Sequence, residues 1–219
     1  ALKRASLKRV VVDSTVQEKA IAHPTDAKLF NRCRQQLVEV AHQQGIGLRQ
    51  TYAKAGRRLM LKVGRYGHAR QYKRMRRCIK QLKNHMGRVY RDLLRQLPSE
   101  NALNPQQQTV MAQARELWIQ GKHSKNKLYS LHAPEVDCIA KGKAHKRYEF
   151  GVKASVVTTL KQCFVVGARS YPGNPYDGHT LQNQLEQTEI LTEVMPQETY
   201  VDRGYRGHGI EGKTQVIIA

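Results

Sequence analysis

Negative charge is what this sequence has least of. Against 38 Lys and Arg stand 17 Asp and Glu, so the 219-residue chain carries a formal charge of +21. An excess that large repels itself unless a polyanion neutralises it, which points to nucleic acid as the partner. Long apolar runs are missing too. No stretch of about 18 apolar residues exists, which excludes a membrane-spanning helix, and mean hydropathy is −0.64. No secretory signal opens the chain. The four cysteines, Cys33, Cys78, Cys138 and Cys163, form no CxxC pair. That spacing argues against zinc and against a disulfide framework, and leaves buried, reduced thiols as the expectation. The histidines form no HxH or HxxxH pair, so no metal is assigned to them. The chain opens on alanine and enters an apolar strand almost at once, as expected of a piece that starts inside a fold.

What is present is unevenly placed. Residues 49–95 hold 16 basic side chains and one acid, Asp92, whereas residues 96–219 hold 14 and 12. The opening, Lys8 to Val16, reads as a strand covered on both faces, because three valines run without alternation. Thr25 and Asp26 start a helix whose Leu29, Cys33, Leu37 and Val40 share a face and which Gly45 closes. From about Tyr66 to Leu97 the pattern predicts one long helix, with Met75, Ile79, Leu82, Met86, Val89, Leu93 and Leu97 as a heptad-like seam. Arg88, Arg91 and Arg95 occupy its other faces, as do Arg70, Lys73, Arg74, Arg76, Arg77, Lys80 and Lys83. A solvated coiled-coil surface would interleave Glu with Lys. Here the acids are missing, so the seven from Arg70 to Lys83 are expected to contact phosphates. Pro105 opens a further helix. Tyr148–Val157 and Gln162–Gly167 read as a strand hairpin, Leu181 to Leu191 as an amphipathic helix, and Thr199–Asp202 and Gln215–Ile218 as strands.

Two of these strands are read as ending in an aspartate, Asp13 and Asp202. Carboxylates at the ends of neighbouring strands can share divalent cations, and hard oxygen ligands suit Mg²⁺. Paired ions can activate a water or a 3′-hydroxyl and stabilise the leaving oxygen in phosphodiester transfer. The competing reading is that each Asp caps the turn that follows it. Asp177 reads as a turn residue between Pro175 and Gly178, and Glu149 as a surface or salt-bridged carboxylate. Lys141, Lys143, Lys146 and Arg147 form a basic loop expected to hold DNA. Arg203 and Arg206 flank Asp202, where they either grip a phosphate or lower its pKa by proximity.

The segments VVVDSTVQEKAIAHPTDAKL, IAKGKAHKRYEFGVK, GNPYDGHTL and YVDRGYRG resemble the blocks of transposases of the bacterial insertion-sequence family numbered five, in that family's order and over nearly the whole chain. The resemblance implies an α/β, ribonuclease-H-like mixed sheet interrupted by a basic α-helical insert. The expected division is residues 1–24 for the first strand of the catalytic core, 25–122 for the insert and 123–219 for the rest of the core. It also implies a DDE triad with Mg²⁺ or Mn²⁺, and double-stranded DNA, both element ends and target, as partner. The active form would be a homo-oligomer at the nucleoid, in the cytoplasm. Asp13 in VDSTV matches the first acid and Asp202 in YVDRGYRG the second. The third, a Glu on a downstream helix, matches no position here, since Glu211 lies in a Gly-flanked turn. The family's N-terminal DNA-binding region is missing as well, so these residues alone are expected to be catalytically inactive. Rival readings are a non-catalytic basic helical protein that binds nucleic acid, another ribonuclease-H-like nuclease, or the product of a degraded gene.

Overall fold

The computed structural model describes residues 3–98, 102–140, 146–212 and 214–219. Its elements run α1 (Arg4–Leu7), β1 (Arg9–Glu18), α2 (Asp26–Gln43), α3 (Ala53–His68), α4 (Tyr72–Gln96), α5 (Pro105–Ile119), β2 (Asp137–Ala140), β3 (Tyr148–Thr159), β4 (Val165–Tyr171), α6 (Asp177–Thr192), β5 (Glu198–Val201) and β6 (Gln215–Ile218). The protein is mixed α/β. It divides into a sheet unit, residues 1–20 and 135–219, and a helical unit, residues 21–134. The boundaries differ from the expected 24/25 and 122/123. Leu128 is buried in the helical core, and Gln113 holds the Leu131 carbonyl at 2.8 Å, so those residues belong to the helices.

In the sheet unit β1 is central. β3 pairs antiparallel along one of its edges and β5 parallel along the other. β2 and β4 pair antiparallel with different stretches of β3, and β6 pairs parallel with β5. Alternation along a strand puts Val10 and Val12 of β1 and Val157 of β3 on one face. Leu181 and Leu185 of α6 close over them, with Val201 and Tyr205 completing the cluster. Each such fully buried side chain is worth roughly 1.5–3 kcal/mol. The helix comes close because Gly167 has no side chain: a methyl there would lie 2.7 Å from Thr188 Oγ1.

β1 runs further than its sequence suggests. It does not end at Asp13 but continues to Glu18, because β3 pairs with it from Val10 to Glu18. Only the β5 side stops early, at Val11 opposite Tyr200.

The helical unit begins as expected. Thr25 Oγ1 accepts from Lys28 N, and Asp26 sits in the first turn of α2, where a carboxylate complements the helix dipole. α5 opens on a reciprocal pair, Asn104 accepting from Gln107 N and the Gln107 side chain from Asn104 N, which satisfies two otherwise unpaired amides. Leu82, Met86, Val89 and Leu93 of the α4 seam are fully buried.

The long helix, however, is two. α3 stops at His68, Gln71 N donates back to the Tyr66 carbonyl at 2.8 Å, and Arg70 takes the left-handed conformation at φ 54°. This is the helix-ending geometry in which Gly is usual. With Arg in that place the break leaves no glycine or proline signal.

The thiols also differ from expectation. All four are free, but only Cys33 and Cys78 are buried, whereas Cys138 is half-buried and Cys163 is exposed. Cys163 stands in the turn after β3 at φ 55°, outside any core. Burial pushes the Cys33 thiol up to about 12, so it stays protonated and unreactive. Among the described residues, no helix is long and apolar enough to cross a membrane.

α4 crosses α5 where a side chain would not fit. A methyl at Gly87 would overlap carbons of the Trp118 ring, which Arg91 and Lys83 cover with their cations at 4.8 and 5.8 Å. Gly87→Ala is expected to lower stability by roughly 1–3 kcal/mol through overpacking, more than the about 1 kcal/mol that alanine gains in helix propensity. Thermal unfolding measures it, and an unchanged or raised Tm would mean that the indole swings aside freely.

Candidate active site

Asp13 is the fifth residue of β1, at the point where β5 has parted from it. The parallel pairing runs as far as Val11–Tyr200, so Asp13 and Asp202 each stand two residues beyond its last pair. The two acids, 189 positions apart in sequence, both lie near enough to Tyr205 for their charges to act on its hydroxyl. Both are exposed. Asp13 Oδ1 accepts from Ser14 N at 2.7 Å, and Asp202 Oδ1 from Gly204 N at 2.8 Å. Each carboxylate therefore braces its own backbone with one oxygen. Asp202 does cap a turn, the one-turn 3₁₀ helix Arg203–Tyr205. Capping and site membership coexist in this residue.

A third acid joins them. Asp177 occupies the first turn of α6, half-buried, and its Oδ1 accepts from Lys153 Nζ of β3 at 3.0 Å. Lys153 also donates to the Pro175 carbonyl at 2.6 Å, which fixes the chain entering α6. A methyl placed on Gly204 would lie 2.9 Å from Asp202 Oδ1 and 3.3 Å from Asp177 Oδ2. The glycine thus lets two carboxylates close in on one stretch of backbone. The turn reading of Asp177 missed this, because nothing in the spacing of NPYDGHTL announces a partner 25 residues downstream.

Beneath the acids lies Tyr205, fully buried. Its hydroxyl is held well above the ordinary phenol range, first by burial and then by the negative charges of Asp177, Asp13 and Asp202, with Ser155 pulling the other way. Neither the Tyr205 nor the Ser155 hydroxyl completes a hydrogen bond of good geometry. The phenol therefore stays neutral under a site that is already negative. Glu149, by contrast, is buried on β3 opposite Ile139.

The expected DNA-contacting residues fall into separate groups. Lys73, Arg77 and Lys80 are exposed on α4, and Arg70 is exposed at the end of α3. Arg74 leans on Gln71 Oε1 at 3.0 Å, and Arg76 donates to the Tyr72 carbonyl at 3.4 Å. Lys83 turns inward instead. Its ammonium donates to the Gln120 carbonyl at 3.1 Å and lies over the Phe30 and Trp118 rings, so it serves the packing of the helical unit. In the sheet unit Arg203 and Arg206 are exposed beside Asp202. Lys146 is neutralised by Glu18, and Arg147 lies over the Tyr148 ring at 5.5 Å. Lys141 and Lys143 lie outside the described residues.

As for metal, Asp13 and Asp202 offer hard carboxylate oxygens, the donor type that Mg²⁺ or Mn²⁺ takes. The pair fits one such ion with water filling the remaining positions. Among the described residues, no group of three His, Cys, Asp or Glu side chains stands at metal-binding spacing. Asp177, tied to Lys153, braces the site rather than offering a third ligand.

Comparison with known proteins yields a partial match. Over 67 residues, 31% of this chain, it is 52% identical to an uncharacterised protein, ORF8 of the nfe locus of Rhizobium meliloti. The match spans 32% of that protein's length. No family model matches the chain, and no solved structure matches it.

Proposed function

We propose that this chain belongs to a DDE-type transposase of the insertion-sequence family numbered five, with a ribonuclease-H-like catalytic sheet and a basic helical insert. The observation that carries the reading is the parallel β1–β5 pairing, with Asp13 and Asp202 each two residues past its last pair, inside the two segments that resemble that family's first and second acid blocks. The mixed sheet, interrupted after β1 by a helical unit, is the arrangement the resemblance implies.

The residues divide the work. Asp13 and Asp202 hold the divalent cation, which when bound supplies Lewis-acid stabilisation of the phosphodiester oxygens. Lys153 keeps Asp177 at Gly204 and so fixes the backbone behind Asp202. Arg203 and Arg206 offer guanidinium forks suited to phosphate next to the acids. Tyr205 keeps water out from below. Lys73, Arg74, Arg76 and Arg77 hold duplex DNA by its backbone. The substrate is double-stranded DNA at element ends and target, handled by a homo-oligomer in the nucleoid. No position here matches the third acid of the resemblance, so these residues by themselves are expected to bind DNA and metal without cleaving.

The test is metal uptake. Mn²⁺ titration followed by electron paramagnetic resonance should show one specific ion per chain, and duplex DNA should bind in the same buffer. A chain that binds DNA but no Mn²⁺ would favour the second reading, a non-catalytic basic nucleic-acid-binding protein. The want of a three-donor group among the described residues is what speaks for that reading. Cleavage by the chain as it stands would instead point to another ribonuclease-H-like nuclease.

A further inference from the structure

A second cationic feature lies in the helical unit, on the later turns of α4. Arg88, Arg91 and Arg95 stand on α4 at spacings of three and four, which puts them on one face. Arg49, from the link before α3, joins them around a cavity of about 310 Å³ that Tyr52 and Asp92 also line. Four guanidinium groups meet one carboxylate there. That carboxylate is engaged: Asp92 is 7% exposed, its Oδ2 accepts from Arg49 N at 2.9 Å, and its Oδ1 accepts from Arg95 Nη2 at 3.1 Å. The Arg49 amide chiefly, and then Arg95, hold Asp92 below the usual carboxylate range. It is thus a fixed anion that pins the Arg49 backbone and the Arg95 head, and it leaves the pocket with a net positive field.

The other groups are also held in place. Arg91 lies over the Trp118 ring at 4.8 Å. Arg88 Nη1 donates to Tyr52 Oη at 3.4 Å, and the Tyr52 ring stacks on His85 at 4.3 Å and 11°. Tyr52 itself is in the left-handed region, φ 54° and ψ 25°, a conformation that costs a non-glycine residue roughly 1–3 kcal/mol and persists where surroundings enforce it. Arg34 Nη1, donating to the Thr51 carbonyl at 2.7 Å, is part of that enforcement. Cations brought together with so little counter-charge repel one another until an anion enters, and a planar guanidinium fork matches the oxygens of a phosphate. The cavity is too cationic for an apolar guest.

We propose that the pocket between Arg49, Arg88 and Arg91 is a binding site for a single phosphate group. A phosphodiester of bound DNA is the expected source, and that choice of source rests on the function proposed above. A free phosphate is the same chemistry from another origin. Arg91 and Arg95 are pre-set by Trp118 and Asp92, and Arg49 and Arg88 close on the anion from the exposed side.

The experiment uses the full chain and two double variants, Arg49→Gln/Arg88→Gln in the pocket and Arg76→Gln/Arg77→Gln on the outer turns of α4. Each is titrated with a duplex of arbitrary sequence at several KCl concentrations, and each is melted with and without about 10 mM inorganic phosphate at constant ionic strength. Two charges on one phosphate should cost the pocket variant about one unit of the log–log salt slope and roughly tenfold in affinity, whereas two phosphates held separately should cost the outer variant about two units. Phosphate should raise the Tm of the wild type and of the outer variant but not of the pocket variant. Phosphate protection with unchanged DNA binding would assign the pocket to free phosphate. A wild type that binds no DNA would overturn the DNA reading and leave the melting result to decide the pocket. Should the double variant fail to fold, Arg88→Lys keeps the charge and loses the fork, and it should weaken DNA binding roughly threefold to tenfold with the slope intact. A pocket variant equal to wild type in both assays overturns the proposal.

Discussion

Asp202→Asn is expected to abolish specific Mn²⁺ uptake, and Asp13→Asn to do the same. Each substitution keeps the size and one acceptor oxygen of the side chain, so the bond from Gly204 N to residue 202 and that from Ser14 N to residue 13 survive. What disappears is half the charge facing the ion. A divalent cation shared by two carboxylates loses its site when one is neutralised, because Mg²⁺ and Mn²⁺ leave their water shell only for charged or well-placed oxygens. Loss of an outer-shell partner alone typically costs about 10–100-fold in metal affinity, so loss of a direct ligand should cost roughly 100-fold or more. Asp177→Asn should fall in that outer-shell range, since Asp177 acts through Lys153 and the Gly204 backbone. Calorimetric titration against wild type reads all three. Equal affinities for wild type and Asp13→Asn would remove β1 from the site.

The second large effect concerns salt. Neutralising Lys73, Arg74, Arg76, Arg77 and Lys80 together should reduce the slope of log affinity for duplex DNA against log salt by about 4 to 5, at about 0.9 for each phosphate no longer neutralised. The five are exposed on the first turns of α4, and residues 49–95 offer them one acid in total, Asp92, which is occupied elsewhere. Surface charges of this kind add little to folding, so the variant should melt near wild type. Lys83→Gln is the contrasting case. Its ammonium serves the Gln120 carbonyl and two rings, so the substitution should lower the Tm and leave the slope alone. An unchanged slope in the fivefold variant would mean that DNA lies against some other face.

These outcomes also mark how far the sequence could be read. The α/β character, the β3–β4 hairpin, α2, α6 and the seam of α4 were visible because apolar spacing and caps act locally, as with Thr25 and the unbroken valine run of β1. The division of α3 from α4 was invisible because Arg70 holds a place where glycine would have signalled the break. The length of β1 was misjudged because its second half is held by β3, whose pairing spans more than 130 residues of sequence. The same distance hid Asp177 and Tyr205: their roles arise from what lies across Gly204 and under the sheet. In the helical unit, Arg88, Arg91 and Arg95 were legible as charge, but the cavity they share with Arg49 exists only once the link before α3 folds back onto α4.

The order of the strands has a consequence for how the molecule is made. β1 leaves the ribosome before the helical unit, and its partners β3 and β5 are separated from it by that whole unit. That unit is continuous in sequence and dominated by short-range packing, the kind of topology that folds fast. It can therefore be complete while β1 still waits, a short valine-rich strand with both edges unpaired. Unpaired edges of that composition are where nascent chains stick to one another. The charges on Lys3, Arg4, Lys8 and Arg9 just before the valines are well placed to keep early chains apart until synthesis reaches Val201. Slow translation through residues 100–200 should accordingly raise the aggregated fraction, and removing those four charges should raise it further.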